Sequence, residues 1–569
     1  MHIDVVPNRN SPPAVLLRES YRQGAKVRKR TLANLSALSP AQVEAIRRTL
    51  KGETLVPAAE LFEIVHSRHQ GHVQAVRAAM TRLGFASLLA SRPSRDRDLV
   101  LAMVTARILE PTSKLATTRW WHTTTLPDAF GVTDADADDL YAALDWLITR
   151  QAHIEKKLAA RHLKTGGFVL YDLSSSYFEG TTSPLAARGY NRDGKTGKLQ
   201  VNYGLLTDPR GCPVAVSVFA GNTGDPTTLM PQVEKLQKTF AIDRLVLVGD
   251  RGMISQKQIN ALRQREGLEW ITALRTGAIR NLVDGGHLQI GLFDDRHLFE
   301  VTHPDFPGER LVACRNPQLA LLRAHKRHAL LDATSGELEK VRGMIARGRL
   351  TGRGAIGVRV GKVVDKYKMS KHLVLDIRED GFDFHLDADK VSAEAALDGL
   401  YVVRTSVPAQ RLATDDVVRS YKMLGQVERA FRSLKTVDLE VRPIRHWLED
   451  RVKAHIFLCM LAHYVAWHMM ESWRPLLFAD EDQQAKATRD PVAPATRSDA
   501  ALAKVHTKFL NDGTPVHSFH TLLQNLSSIV SNTCRRHGAS TTGEPTFNVV
   551  TTPNPIQQRA YDLLTSIQM

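Results

Sequence analysis

Tyr421, Glu428 and Lys435 recur at seven-residue intervals in the stretch YKMLGQVERAFRSLK, residues 421–435. On a helix of 3.6 residues per turn, seven residues are close to two turns, so the phenol, the carboxylate and the ammonium share one face. Such a face suits an anionic substrate only if the acid is neutralised, and a divalent cation coordinated by Glu428 does that. Two earlier segments offer the remaining oxygen ligands. In GFVLYDLSSSYFEG the apolar run from Phe168 to Tyr171 reads as a buried strand that delivers Asp172 where polarity begins; in RLVLVGDRGM, Leu245 to Val248 do the same for Asp250. Side chains at the carboxyl ends of strands in open α/β sheets face the functional crevice. Asp172 and Asp250 lie 78 residues apart and Glu428 a further 178 along, so only tertiary folding can unite them.

These residues resemble the aspartate, aspartate, glutamate triad of insertion-sequence DDE transposases, in the group whose last catalytic helix carries a tyrosine, arginine, glutamate, lysine (YREK) signature. Further text of that kind is GNTGDPTTL from Gly221, LDGLYVVRTS from Leu397, RPIRH from Arg442 and RVKAHIFLCMLAHYV from Arg451, so the resemblance spans about residues 165–470. The signature's arginine falls at position 424, where this chain has Leu424; Lys422, Arg429 and Arg432 are the candidates to supply that charge. The resemblance implies a DNA transposase that cleaves element ends by metal-dependent hydrolysis and joins the freed 3′-hydroxyls to target DNA. A related metal-dependent nuclease or resolvase without strand transfer, and a noncatalytic DNA-binding descendant, are the alternatives; the intact acids argue against the noncatalytic one.

Cleavage and transfer of a phosphodiester need an in-line nucleophile, a stabilised leaving oxygen and charge cancellation, and two metals about 3.5–4 Å apart meet all three needs. Asp172 is expected to bridge two Mg2+ ions while Asp250 and Glu428 each complete one; hard oxygen donors select magnesium, and Mn2+ substitutes. Tyr421 and Lys435 are expected to hold the phosphate, one by hydrogen bond and one as a point charge. Lys422, Arg429, Arg432 and Arg251 are further DNA-binding candidates. No covalent intermediate is required, so Ser174, Ser175 and Ser176 need not be nucleophiles.

The elements that position these groups imply an α/β protein with a ribonuclease H-like catalytic core, a mixed sheet flanked by helices and interrupted by an α+β insertion. Residues 1–60 form a basic N-terminal hairpin and a short helix. The hairpin turns at Gly24 and carries Arg28, Lys29 and Arg30, which are DNA-binding candidates along a phosphate backbone, and the helix opens with the capping box Ser39, Pro40, Gln42. Residues 61–160 are helical, and the resemblance implies a role in binding the transposon end. Residues 161–274 hold the first part of the core, 275–414 the insertion, 415–475 the second part with the glutamate helix, and 476–569 a partly flexible tail. Within the insertion, 317–350 reads as a charged helix, and GVRVGKVVD and HLVLDIRED read as strands. Trp120 and Trp121 read as core rather than base-stacking groups, as does Trp270. Asp134, Asp136 and Asp138 imitate a calcium loop but lack its glycine and final glutamate, so they read as helix caps.

Composition sets outer bounds. A chain of 569 residues exceeds one practical core. Its formal charge of +16 and pI near 9.7 favour polyanionic partners, here double-stranded DNA as element ends and target. Synapsis of two ends implies a homodimer on DNA. The four cysteines show neither a disulfide framework nor a linear zinc spacing, which fits a reducing cytoplasm, and the resemblance implies a bacterial one with the protein nucleoid-associated when bound to DNA. The most apolar run, 456–470, is too short and too rich in histidine to span a bilayer, and no membrane partner is expected.

Overall fold

Buried apolar runs and turn residues set the elements of the computed structural model, which describes residues 1–9, 11–53, 61–289, 293, 297–483, 488–493, 496–536 and 545–568. Its chain forms two units, one of Met1–Arg68 with Val530–Thr551, the other of His69–Ile529 with Thr552–Met569.

In the first unit, strands His2–Val6, Ala14–Gln23 and Lys26–Asn34 form an antiparallel sheet. Gly24, at φ +62°, makes the tight turn between the last two. The helix Pro40–Leu50 begins at the expected capping box, with Ser39 Oγ accepting from the Gln42 N–H and Gln42 Oε1 from the Ser39 N–H. A second sheet orders Phe547–Val550, Val530–Arg536 and Phe62–His69, so part of the expected tail is a strand. Residues 484–487 and 494–495, within the stretch expected to be flexible, lie outside the described residues.

In the second unit a mixed α/β architecture is built on eight strands: β1 Phe168–Tyr177, β2 Gln200–Thr207, β3 Pro213–Ala220, β4 Leu245–Val248, β5 Leu268–Ala273, β6 Leu298–Val301, β7 Arg310–Arg315 and β8 Leu400–Thr405. Their order is β6-β7-β8-β5-β4-β1-β2-β3. β1 is parallel to β4, and β4 to β5, while every other pairing is antiparallel. All four residues of β4 are buried, as a parallel strand covered on both faces requires. Gly204 on β2 has no side chain because the Tyr171 ring passes over it; a Cβ there would stand 2.2 Å from the Tyr171 hydroxyl.

The segment 275–414 contributes β6, β7 and β8 to this same sheet, and its middle forms a separate cluster. There the long helix Pro317–Ala346 matches expectation, and HLVLDIRED supplies the strand Leu373–Ile377. GVRVGKVVD does not form a strand: it lies within the helix Arg353–Tyr367. Its valines suggested β structure, yet Ile356, Val360 and Val363 recur at helical spacing, and their burial against Leu338 and Val341 overrides β propensity.

The helix Glu449–Ser472 is apolar on nearly all sides and packs against Ala137–His162, Arg95–Leu109 and β3, as a core helix should. Among the described residues no helix is long and apolar enough to cross a membrane. Asp136 caps the helix Ala137–His162 by accepting from the Asp138 and Asp139 N–H groups, and Arg95 pairs with Asp134 and Asp139. Trp121 and Trp270 are buried.

Candidate active site

The parallel pairing of β1 and β4 sets Leu170 opposite Val248. Asp172 lies two residues further along β1 and Asp250 two residues beyond Val248, past the end of β4, and the negative charge of Asp250 acts on Asp172. Each carboxylate is held by local backbone: Asp172 Oδ1 accepts from the Leu173 N–H at 2.8 Å, and Asp250 Oδ1 from Gly252 and Met253 N–H groups at 3.0 and 2.7 Å. One oxygen of Asp250 is thus taken up by its turn, leaving the other available.

Glu428 arrives on the helix Leu424–Arg432. Val427, Ala430, Phe431 and Leu434 bury one face, and the Phe431 ring meets Tyr203 of β2 edge-on at 5.8 Å. The opposite face is left to Glu428 and Arg432. A cavity of about 480 Å³ is lined by Asp172, Asp250 and Glu428 together with Ser174, Arg192, Asp193, Asp225, Arg432, Lys435 and Arg442, among others.

The single helix expected over 421–435 is instead three segments. Thr414–Lys422 ends at a joint at Met423, Leu424–Arg432 comes next, and Ser433–Val437 is a π turn. A π turn widens the helix by a residue and changes the phase of the side chains beyond it. Lys435 accordingly reaches β1, donating to Ser174 Oγ at 3.1 Å and pairing with Asp193 at 2.6 Å. Arg442 pairs with the same Asp193 oxygen, and the other oxygen accepts from the Tyr177 N–H. The Asp193 side chain is only 1% exposed, so these cations satisfy an acid withdrawn from water. Arg192, one residue earlier, grips both oxygens of Asp225 at 2.6 Å. Gln200 pins the loop just before them, donating to Tyr190 O and Gly221 O.

This pairing has an electrostatic consequence. Five carboxylates and four cations line the cavity, but Arg192, Lys435 and Arg442 are committed to Asp225 and Asp193. Among the described residues Asp172, Asp250 and Glu428 form no ion pair. Burial pushes the Asp172 carboxyl up to about 7, and the negative charges of Asp250 and Glu428 add to the shift. Burial and then the Asp250 charge push the Tyr421 hydroxyl up to about 12. An acid-only donor set of this kind fits a hard divalent cation.

Of the expected DNA contacts, Arg432 and Lys435 line the cavity, and Tyr421 feels its acids. Lys422 and Arg429 do not line it. Each comes one position after a site residue, a rotation of about 100° around a helix. Lys422 lies near Cys314, Arg489 and Asp490, and Arg429 donates to Gln426 Oε1. Arg251 is exposed beside Tyr421. Arg28, Lys29 and Arg30 are exposed on the hairpin of the first unit. Ser176 bonds the Tyr203 hydroxyl, and Ser175 Oγ accepts from the Arg192 N–H. Sequence reasoning missed Arg192, Asp193, Asp225 and Arg442 as site residues. Asp225 lies in GNTGDPTTL and Arg442 opens RPIRH, so both sat in text already singled out.

Residues 169–465 match the family described as the transposase DDE domain. Residues 3–58 match the IS1634 family transposase N-terminal domain. Among solved structures, a cryo-EM piggyBac transposase synaptic complex with hairpin DNA is 9% identical, with a TM-score of 0.34, over 80% of this chain and 77% of that one. No curated protein matches the chain.

Proposed function

The chain belongs to the transposase DDE-domain family and is an insertion-sequence DNA transposase, and on that premise we propose that Asp172, Asp250 and Glu428 are its catalytic and metal-holding residues. The observation that carries this reading is their convergence, from remote parts of the chain, on one cavity where none of them has a cationic partner.

Two Mg2+ ions, or Mn2+ in their place, would supply Lewis-acid neutralisation of the phosphate and activation of the attacking water. The protein's own residues do the rest. Asp172, Asp250 and Glu428 would hold the ions through their carboxylate oxygens. The Leu173 N–H fixes its carboxylate, and the Gly252 and Met253 N–H groups fix that of Asp250. Arg432, with no acid partner among the described residues, is free to meet a DNA phosphate. Lys435 and Arg442, held through Asp193, present a fixed positive edge to the same cavity. Tyr421 keeps its proton and donates it in a hydrogen bond to phosphate.

The mixed sheet then serves as a ribonuclease H-like core split by the 275–414 insertion, with residues 61–160 and the basic hairpin of Arg28, Lys29 and Arg30 gripping the terminal inverted repeats. Two chains synapse two ends as a homodimer, acting on nucleoid DNA in the bacterial cytoplasm. Incubating the purified protein with end-bearing DNA, Mg2+ and a target plasmid tests the reading. Cleaved ends and joined products are expected, and both vanish in Asp172→Ala while end binding persists. Cleavage persisting in that variant removes the assignment, and hydrolysis without joining favours the nuclease.

A further inference from the structure

A second group of donor atoms lies outside the acidic cavity. His162 is the last residue of the helix Ala137–His162, Cys212 sits in the turn entering β3, and His468 is on the central helix Glu449–Ser472. One donor atom from each lies within 4.8 Å of the others, and Cys212 Sγ is 3.8 Å from His468 Nε2. Cys212 is fully buried and His468 nearly so, while His162 is half-buried. None of them lines the cavity that holds Asp172.

The surroundings hold this group in place. Asp208 Oδ1 accepts from the Cys212 N–H at 3.0 Å and the Arg210 N–H at 2.9 Å, fixing the turn that presents the thiol. The rings of Tyr464 and Trp467 meet His468 edge-on at 4.7 and 4.8 Å. The Tyr464 hydroxyl lies 3.1 Å from His162 Nε2, so the helix carrying His468 also orients the second imidazole.

We propose that His162, Cys212 and His468 form a zinc site, with water as the fourth ligand on the more open His162 side. Tetrahedral zinc, with bonds of about 2.0–2.1 Å to nitrogen and 2.3 Å to sulfur, sets its donor atoms on the order of 3.5 Å apart. The three donors therefore close on the ion by little more than about an ångström. Sulfur and imidazole nitrogen favour zinc over magnesium, so this site and an all-oxygen site draw different ions from one solution. On binding, the Cys212 S–H bond breaks, its proton leaves to solvent, and the thiolate pair forms the Zn–S bond; each imidazole contributes a nitrogen lone pair. The ion ties the end of one core helix to the last turns of another and to the turn entering β3. No linear motif announces it, since Cys212 comes 50 residues after His162 and His468 a further 256 after Cys212.

The test uses full-length protein stripped with chelator and then titrated with Co2+ and with Zn2+. The result expected is thiolate-to-cobalt charge-transfer absorption in the near ultraviolet, displaced by zinc. Elemental analysis should find one zinc per chain after dialysis against excess Mg2+, undiminished in Asp172→Asn and reduced to background in Cys212→Ser and His468→Gln. Wild-type protein that gives no thiolate band overturns the proposal whether or not the variants fold. Zinc retained at full stoichiometry by a folded Cys212→Ser variant also overturns it.

Discussion

The acidic cavity and the N-terminal hairpin, the two regions proposed to meet DNA, arrange their charges in opposite ways. In the cavity, acids separated by 78 and 178 residues converge, and three of the four cations there are committed to Asp193 and Asp225. In the hairpin, Arg28, Lys29 and Arg30 are adjacent in sequence and exposed; Lys29 pairs with Asp4 and Arg30 with Glu19, and among the described residues Arg28 has no acidic partner. Phosphate affinity needs only local positive charge near water, because counterion release is insensitive to exact placement. Bond cleavage needs donors fixed relative to one another, which requires a rigid sheet and the partial exclusion of water.

The sharpest way to break the comparison is Asp172→Asn. On the role proposed for Asp172, its loss should lower cleavage and joining by about a thousandfold or more, given that Lewis-acid stabilisation is worth several kcal/mol. A gel assay of end cleavage checks it, with end binding by mobility shift retained. Ordinary turnover in this variant would make the cavity no more catalytic than the hairpin.

Asp193→Ala should act on stability as well as rate. Removing the acid leaves Lys435 and Arg442 without their buried partner, a loss of roughly 3–5 kcal/mol. Urea unfolding measures it. The same deletion at Glu19, the exposed partner of Arg30, should cost at most about 1 kcal/mol.

Asp172 also gives a pH signature. Its carboxyl lies near 7 in the folded protein, above the ordinary 3.8, so the native state holds the extra proton. Without metal, the contribution of Asp172 to stability should be fully present below about pH 4 and lost as pH rises through 7, because deprotonation then places an unpaired charge near Asp250 and Glu428. Unfolding midpoints in EDTA across this window should show the slope in wild type and a flatter line in Asp172→Asn. Added Mg2+ should restore stability at the alkaline end.

The smallest effect belongs to the hairpin. Arg28→Ala should weaken end binding uniformly across sequences and reduce the slope of log affinity against log salt by about 1. Titrations at several salt concentrations read it, and an unchanged slope removes this arginine from the DNA surface.

Much of the acidic face was legible because its signals are local. The apolar runs before Asp172 and Asp250 mark buried strands, although β1 continues past Asp172 to Tyr177, and Gly24 marks the hairpin turn. Arg192, Asp193, Asp225 and Arg442 escaped notice because a charged residue in a polar loop looks alike whether solvated or buried against a partner. The segment GVRVGKVVD was misread because β-branched composition and helical spacing conflict there, and only packing against Leu338 and Val341 decides between them. Lys435 kept its place in the site but not its expected phase, since the π turn that redirects it has no reliable sequence mark.

By itself the sequence determined which chemistry was possible: the three acids, the basic balance and the buried strands that carry two of those acids are properties of residue type and short-range pattern. Tertiary structure decided which charges remain available. Folding sets Asp193 between Lys435 and Arg442, joins Arg192 to Asp225, and leaves the triad without an ion pair among the described residues. It also gathers two histidines and a cysteine from distant segments. Pairing of charges and clustering of donors depend on distance in space, and a linear chain does not encode that distance until its helices and strands have packed.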